Sequence, residues 1–196
     1  MKHLSTIPIC SNGLFIYRLN IKDDLTLKFK EEKFRRLTTG SASIGLDLNI
    51  LKRYENLNKE ISKAVDATLK EILMLKNINY RIYSSWLTKA EPETSSASHT
   101  HMNSWLSGVY YPKGDAGFSI RFSNENAHVF YTQPTEYNLF NSTGWTICPE
   151  DNYLILFFSQ LRHKLMPNLS TKDRFSLAFN ILPKGEFGDI DYKTIF

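Results

Sequence analysis

His99-Thr-His-Met-Asn-Ser-Trp-Leu-Ser-Gly-Val-Tyr-Tyr111 sets two histidines directly in front of a run of strand-forming residues. His99 and His101 are two positions apart, so on an extended segment both imidazoles leave from the same face. One ion can then take two nitrogen ligands from a single strand end. The continuation, Trp105 to Tyr111, is rich in β-formers, which predicts a buried strand. A pair of ligating side chains feeding a core strand puts the candidate site on a rigid β scaffold.

Downstream, Pro112-Lys113-Gly114-Asp115 is a turn, and the stretch from Gly117 to Phe122 alternates as a strand does. Residues 124–144 are polar and turn-rich around Val129-Phe130-Tyr131. Tyr153-Leu154-Ile155-Leu156-Phe157-Phe158 is a continuous apolar run, which predicts a strand buried on both faces. Phe175 to Ile181 alternates polar with apolar again. Upstream, Tyr80 to Leu87 reads as a strand, and Glu91 to Ser96 as the polar loop that leads into the histidines.

Leu14 to Leu19 predicts a first strand, Lys22 to Arg36 carries a weak helical period, and Thr38 to Ser43 is a loop. Ile50, Tyr54, Leu57, Ile61, Val65, Leu69 and Ile72 recur every three or four residues. That stripe predicts one long amphipathic helix packed on the outside of a sheet. Many short strands separated by turns, without βαβ alternation, predict a mainly β protein with flanking helices. The expected architecture is an antiparallel sandwich or barrel of the jelly-roll, cupin-like kind. The organisation expected is a single domain over 1–196, with an N-terminal strand and buttressing helices in 1–78 and the β core with the metal site in 79–196.

At 196 residues the chain can bury a sizeable core. Hydrophobic residues at 42% and charged residues at 22% are ordinary for a globular protein, while 13% aromatic is high and tilts the class towards β. The net charge of +4 is modest, and Lys28, Lys30, Lys33, Arg35 and Arg36 read as a solvated face, so nucleic acid is not indicated. Cys10 and Cys148 make neither a disulfide framework nor a Cys-x-x-Cys motif. The first residues lack the apolar stretch of a signal peptide, and no apolar run is long enough to span a membrane. The expected location is the reducing cytoplasm, with no membrane partner.

A third histidine, His163, follows the most apolar strand. Two ligands at one strand end and a third from a distant strand make a facial arrangement, with the opposite side of an octahedron open. That arrangement suits a non-haem Fe(II) site that must bind a co-substrate and O₂. Arg174 lies further on, with Ser176 two residues later on the same strand face. A guanidinium with a neighbouring hydroxyl suits a carboxylate. Each piece alone also has a plain structural reading, as a surface histidine, a core histidine or half of an ion pair.

The pattern His-x-His-x-x-Ser-x-x-Ser-Gly-Val-Tyr-Tyr, a buried strand, a histidine and Arg-x-Ser-x-x-Phe-Asn resembles a family of 2-oxoglutarate/Fe(II)-dependent oxygenases common in cyanophages and marine bacteria. The resemblance runs from about Trp86 to Ile181. It implies a double-stranded β-helix fold with iron at the mouth of the barrel. His99 matches the first iron ligand and His163 the distal one, while Arg174 and Ser176 match the pair that holds the far carboxylate of 2-oxoglutarate. His101 stands where the wider superfamily has Asp or Glu. It is expected to be a ligand, and a place in the surrounding layer with water in its stead remains open, with Glu91 and Glu93 as remote carboxylate candidates. Asn103, Trp105 and Tyr110 are candidates to line the substrate pocket, with core packing an equal reading for the last two. Met102 and Met166 are expected in its apolar wall, and His128 and Trp145 fall in or beside the polar stretch, with no role fixed.

The implied reaction couples oxidative decarboxylation of 2-oxoglutarate, to succinate and CO₂, with hydroxylation of a substrate that the sequence does not identify. Two other readings stay open at this point. One is a three-histidine, cupin-type dioxygenase that does not use 2-oxoglutarate. The other is a non-enzymatic jelly-roll binding or virion-associated protein. The sequence is silent on oligomeric state and compatible with a homodimer.

Overall fold

Period-two alternation gives the main sheet two different faces in the computed structural model, which describes residues 2–3, 5, 12–76, 78–123, 133–188 and 191–195. The strands are β1 (Leu14–Arg18), β2 (Phe34–Arg36), β3 (Ser43–Gly45), β4 (Asn79–Ala90), β5 (Leu106–Tyr111), β6 (Ile120–Ser123), β7 (Gly144–Ile147), β8 (Tyr153–Phe158), β9 (His163–Leu165) and β10 (Arg174–Lys184). An antiparallel major sheet runs β1-β8-β5-β10-β4-β3-β2, and a minor sheet runs β7-β6-β9. The chain passes from β8 in the major sheet to β9 in the minor one and back to β10. That alternation between facing sheets is the double-stranded β-helix.

One face of the major sheet buries Leu106 and Tyr110 of β5, Leu154 and Leu156 of β8, and Phe175, Leu177, Phe179 and Ile181 of β10. Helices α1 (Leu25–Lys30) and α2 (Glu55–Ala67) cover this face with Leu25, Phe29, Leu57, Ile61 and Val65. The opposite face sends Val109, Tyr111, Ile155 and Phe157 against Ile120, Phe122 and Leu165 of the minor sheet. Every residue of β5 is buried, as its β-forming composition predicts. Asn180 lies opposite Ser107 and Ala178 opposite Val109. By alternation Arg174, Ser176, Ala178 and Asn180 therefore look between the sheets with Ser107, Val109 and Tyr111.

The N-terminal third differs from its sequence reading in detail. Residues 22–36 form a six-residue helix, α1, and then the edge strand β2. Asp24 caps α1 by accepting from Thr26 N at 2.9 Å, and only Leu25 and Phe29 bury at helical spacing. The long stripe from Ile50 breaks into a 3₁₀ turn (Ile50–Arg53), α2 and a π turn (Thr68–Ile72). At the second break Thr68 Oγ1 donates to Ala64 O at 2.9 Å and meets Tyr17 OH at 2.7 Å, competing with the regular ladder. Strands β1, β2 and β3 extend the major sheet at both ends, so this third supplies sheet as well as buttress.

Gly108 is required by close approach. A Cβ there would stand 2.7 Å from Leu156 Cδ2 and closer still to the Phe179 ring, both fully buried. Gly108→Ala is expected to lower unfolding free energy by about 1–3 kcal/mol, through overpacking of a core with no room to yield. Urea denaturation measures this, and a loss below about 0.5 kcal/mol would show that the two side chains can move aside.

Candidate active site

His99 and His163 meet as an antiparallel bridge, each N–H donating to the other's carbonyl at 2.9 Å. Opposed residues of such a pair put their side chains on one face. His101, two residues on, is held by its N–H to Ser159 O at 2.9 Å. The ring centroids are 4.5 Å apart for His99–His163, 5.0 Å for His101–His163 and 5.3 Å for His99–His101. One nitrogen from each lies within 4.8 Å of the others, and the group could hold a metal ion. Trp86 of β4 stacks on His101 at 5.6 Å, and Phe157 of β8 meets His163 edge-on at 4.7 Å.

Hydrogen bonding decides which nitrogens face the centre. His99 Nδ1 lies 2.9 Å from Ala97 O, His163 Nδ1 2.9 Å from Leu161 O, and His101 Nδ1 2.7 Å from Asn180 Oδ1. Each acceptor oxygen calls for a proton on Nδ1, which leaves Nε2 as the lone-pair nitrogen. Burial pushes the His101 pKa down to about 4 and that of His163 to about 3, and the neighbouring histidines act in the same direction. Both rings are thus neutral at pH 7, the form that ligates. His101 Nε2 and His163 Nε2 are 3.2 Å apart. Two ligands at right angles, each about 2.1 Å from one ion, would stand ~3.0 Å apart. The chemistry of the three donors and the spacing of this pair therefore fit a divalent ion. No carboxylate joins the group among the described residues, so three neutral ligands would leave the ion its full charge. Glu91 pairs instead with Lys89 at 2.8 Å, and Glu93 is exposed.

Arg174, at the start of β10, is 1% exposed. It donates to Ser119 O at 3.2 Å and Met166 O at 3.4 Å, and it lies 5.7 Å over the Phe118 ring. No carboxylate pairs with it among the described residues, and burial lowers its pKa. Two carbonyls and a ring do not neutralise a guanidinium, so this buried charge is suited to an incoming anion. The Tyr111 hydroxyl is fully buried and has no hydrogen-bond partner among the described residues. Burial raises its pKa to about 12, with Arg174 acting the other way.

A cavity of about 400 Å³ opens over the histidines. Its walls include Leu37, Thr39, Ile44, Trp86, Met102, Ile120, Leu165, Ser176 and Asn180, and besides the three histidines no ionisable side chain among the described residues lines it. Arg174 is not in the wall. Its partners Ser119 and Met166 adjoin Ile120 and Leu165, which place it behind that end of the cavity.

Three expected lining residues lie elsewhere. Tyr110 points into the helix-side core and its hydroxyl donates to Asn152 Oδ1 at 2.7 Å. Strand alternation is the reason: Tyr111, the next residue, has the cavity side of β5. Trp105 packs on the same helix-side core. Asn103 is exposed, with a φ of 57° and its carbonyl accepting from Tyr83 OH at 3.2 Å. Trp145 is half-exposed on β7 and lines no part of the cavity, and His128 falls outside the described residues. Met102 is in the cavity wall as expected, whereas Met166 contributes its carbonyl to Arg174. Alternation from Arg174 and Ser176 would have found Asn180, but no local signal marks Leu37 or Ile44, which reach the site only through β2–β3 pairing.

Residues 84–180 match the sequence model of a family described as "Putative 2OG-Fe(II) oxygenase", a span that holds the three histidines, Arg174 and Ser176. These residues belong to the 2OG-Fe(II) oxygenase family. No curated protein matches it in sequence. Among solved structures it is similar to HygX from Streptomyces hygroscopicus with nickel, 2-oxoglutarate and hygromycin B bound, at 9% identity and a TM-score of 0.60, over 87% of this chain and 82% of that one. It is also similar to a Trichoplax adhaerens prolyl hydroxylase in complex with a hypoxia-inducible-factor peptide fragment, at 14% identity and 0.58, over 88% and 84%. An oxidoreductase of the 2OG-Fe(II) oxygenase family from Burkholderia pseudomallei gives 10% and 0.58, over 80% and 76%. At such identities these likenesses bear on the fold alone, the double-stranded β-helix. This 2OG-Fe(II) oxygenase is an oxidoreductase with Fe(II) as cofactor and 2-oxoglutarate and O₂ as co-substrates. No helix among its described residues is long and apolar enough to cross a membrane.

Proposed function

We propose that this oxygenase couples the conversion of 2-oxoglutarate to succinate and CO₂ with hydroxylation of an uncharged, apolar group of its substrate. In this reading His99, His101 and His163 hold Fe(II) through Nε2, and Arg174 with Ser176 and Tyr111 holds the far carboxylate of 2-oxoglutarate. Bound there, Fe(II) supplies the O₂-activating redox chemistry that side chains lack. The protein's share is orientation and exclusion of water. Ala97 O, Leu161 O and Asn180 Oδ1 keep the protons on Nδ1, so that no proton competes for the ligating nitrogens. The Arg174 guanidinium, desolvated and without a carboxylate partner among the described residues, fixes one end of the co-substrate, and the Tyr111 hydroxyl would gain a hydrogen-bond partner there. Leu37, Ile44, Trp86 and Met102 then present a neutral, mostly apolar wall to the group being oxidised.

The observation that carries this reading is the convergence of three imidazoles beside a buried guanidinium that has no carboxylate partner among the described residues, on one face between two sheets. Protein loaded anaerobically with Fe(II) and 2-oxoglutarate is expected to show the weak visible charge-transfer band of the chelate. On exposure to O₂ it is expected to form succinate slowly even without substrate. Loss of both signals in an intact, metal-loaded protein would sink the proposal.

A further inference from the structure

Among the described residues, Asn180 is the one side chain that hydrogen-bonds both to the histidine set and to a buried row of serines. Its Oδ1 accepts from His101 Nδ1 at 2.7 Å and from Ser107 Oγ at 2.9 Å. Ser107 Oγ is 2.8 Å from Ser159 Oγ, and Ser159 Oγ donates to Ser104 Oγ at 2.9 Å. Ser107 and Ser159 are fully buried, in a region otherwise built from aliphatic and aromatic residues. Buried hydroxyls add little net stability when satisfied and cost much when not, so packing alone does not call for such a row. The pairing of β10 with β4 also slips by one residue directly after Asn180, with Asn180 opposite Ser84 and Ile181 opposite Ile82. Irregularities of this kind re-aim a side chain next to a site.

We propose that Asn180, oriented by Ser107, is a positioning residue that fixes the tautomer of His101 and so lets a histidine serve in the ligand position. This rests on the reading of His99, His101 and His163 as the metal set. His99 and His163 have their tautomers set by backbone carbonyls, which only accept. His101 is different, because an amide side chain offers an acceptor at one end and a donor at the other. With Oδ1 towards the ring, Nδ1 carries the proton and Nε2 keeps its lone pair. With the amide reversed, Nδ2–H would face Nδ1 and the ring proton would sit on Nε2. That proton would lie between two nitrogens 3.2 Å apart, where it would bond His163 and exclude an ion. The Ser107 hydroxyl donating to Oδ1 selects the first orientation.

Co(II), a coloured divalent ion, is the probe. Asn180→Leu removes the acceptor at nearly constant volume and is expected to weaken Co(II) binding ~10–100-fold, the range typical of a lost outer partner of a ligating histidine. Asn180→Asp keeps an acceptor towards Nδ1 and is expected to restore binding to within a few-fold of the parent. Ser107→Ala, which leaves both residues in place but frees the amide to turn, is expected to give an intermediate loss. In ¹⁵N spectra of the metal-free protein, the His101 ring is expected to be protonated at Nδ1 in the parent and at both positions in exchange in Asn180→Leu. Equal Co(II) affinity in Asn180→Leu and the parent, while His101→Ala loses the ion, overturns the inference and leaves the metal set standing. A parent protein that takes up no Co(II) removes the metal set and this inference together.

Discussion

Arg174→Met is expected to give an apoprotein more stable than the parent that 2-oxoglutarate no longer stabilises. The guanidinium is 1% exposed, and its partners are two carbonyls and a ring. Keeping a cation there without a counter-ion costs free energy that an apolar side chain of similar length does not incur. The expected gain is about 1–3 kcal/mol, and at this chain length each kcal/mol moves the melting temperature by roughly 2–4 °C. Ligand response should go the opposite way. With Mn(II) as a redox-silent ion, 2-oxoglutarate at about a hundred times its dissociation constant should stabilise the parent by ~2.7 kcal/mol and the variant hardly at all. Thermal unfolding with and without 2-oxoglutarate reads both effects. Equal stabilisation of the two proteins would mean that the far carboxylate is held elsewhere. A less stable apoprotein would mean that the carbonyl contacts outweigh desolvation.

His163→Leu is expected to abolish oxygenase turnover while leaving the fold in place. His163 is buried against Phe157 and Phe122, so leucine fills its site between the rings. The lost Nδ1–H bond to Leu161 O costs about 1 kcal/mol, and removing a buried imidazole offsets part of that. Unfolding free energy should stay within about 2 kcal/mol of the parent. Metal affinity should fall by more than the ~100-fold that losing an outer hydrogen-bond partner causes. Isothermal titration with Mn(II) measures it, with chemical denaturation as the control. Retention of tight binding would leave His99 and His101 as the only histidines in play and would remove the three-ligand reading.

Much of this was legible in the chain because strands repeat every two residues. Alternation in Arg174-Phe-Ser-Leu-Ala-Phe-Asn180 assigns each side chain to one face, and the alternate residues do line the helix-side core. The same rule, applied to β5, assigns Tyr111 to the side between the sheets and Tyr110 to the helices, so the expectation for Tyr110 failed by one residue. The helical stripe from Ile50 to Ile72 found the right face but not its breaks. Those depend on Thr68 meeting Tyr17, which is 51 residues away.

The sequence by itself determined most of the strand content from residue 79 onward and the alternating faces of β10, because these are properties of local spacing. Only the tertiary structure decided that His101 turns its Nε2 to that of His163, that Asn180 holds its far side, and that Leu37 and Ile44 wall the cavity. The physical reason is that tautomer, desolvation and cavity shape are set by atoms brought together across sheets. His101 and Asn180 lie 79 residues apart along the chain and 2.7 Å apart in the fold.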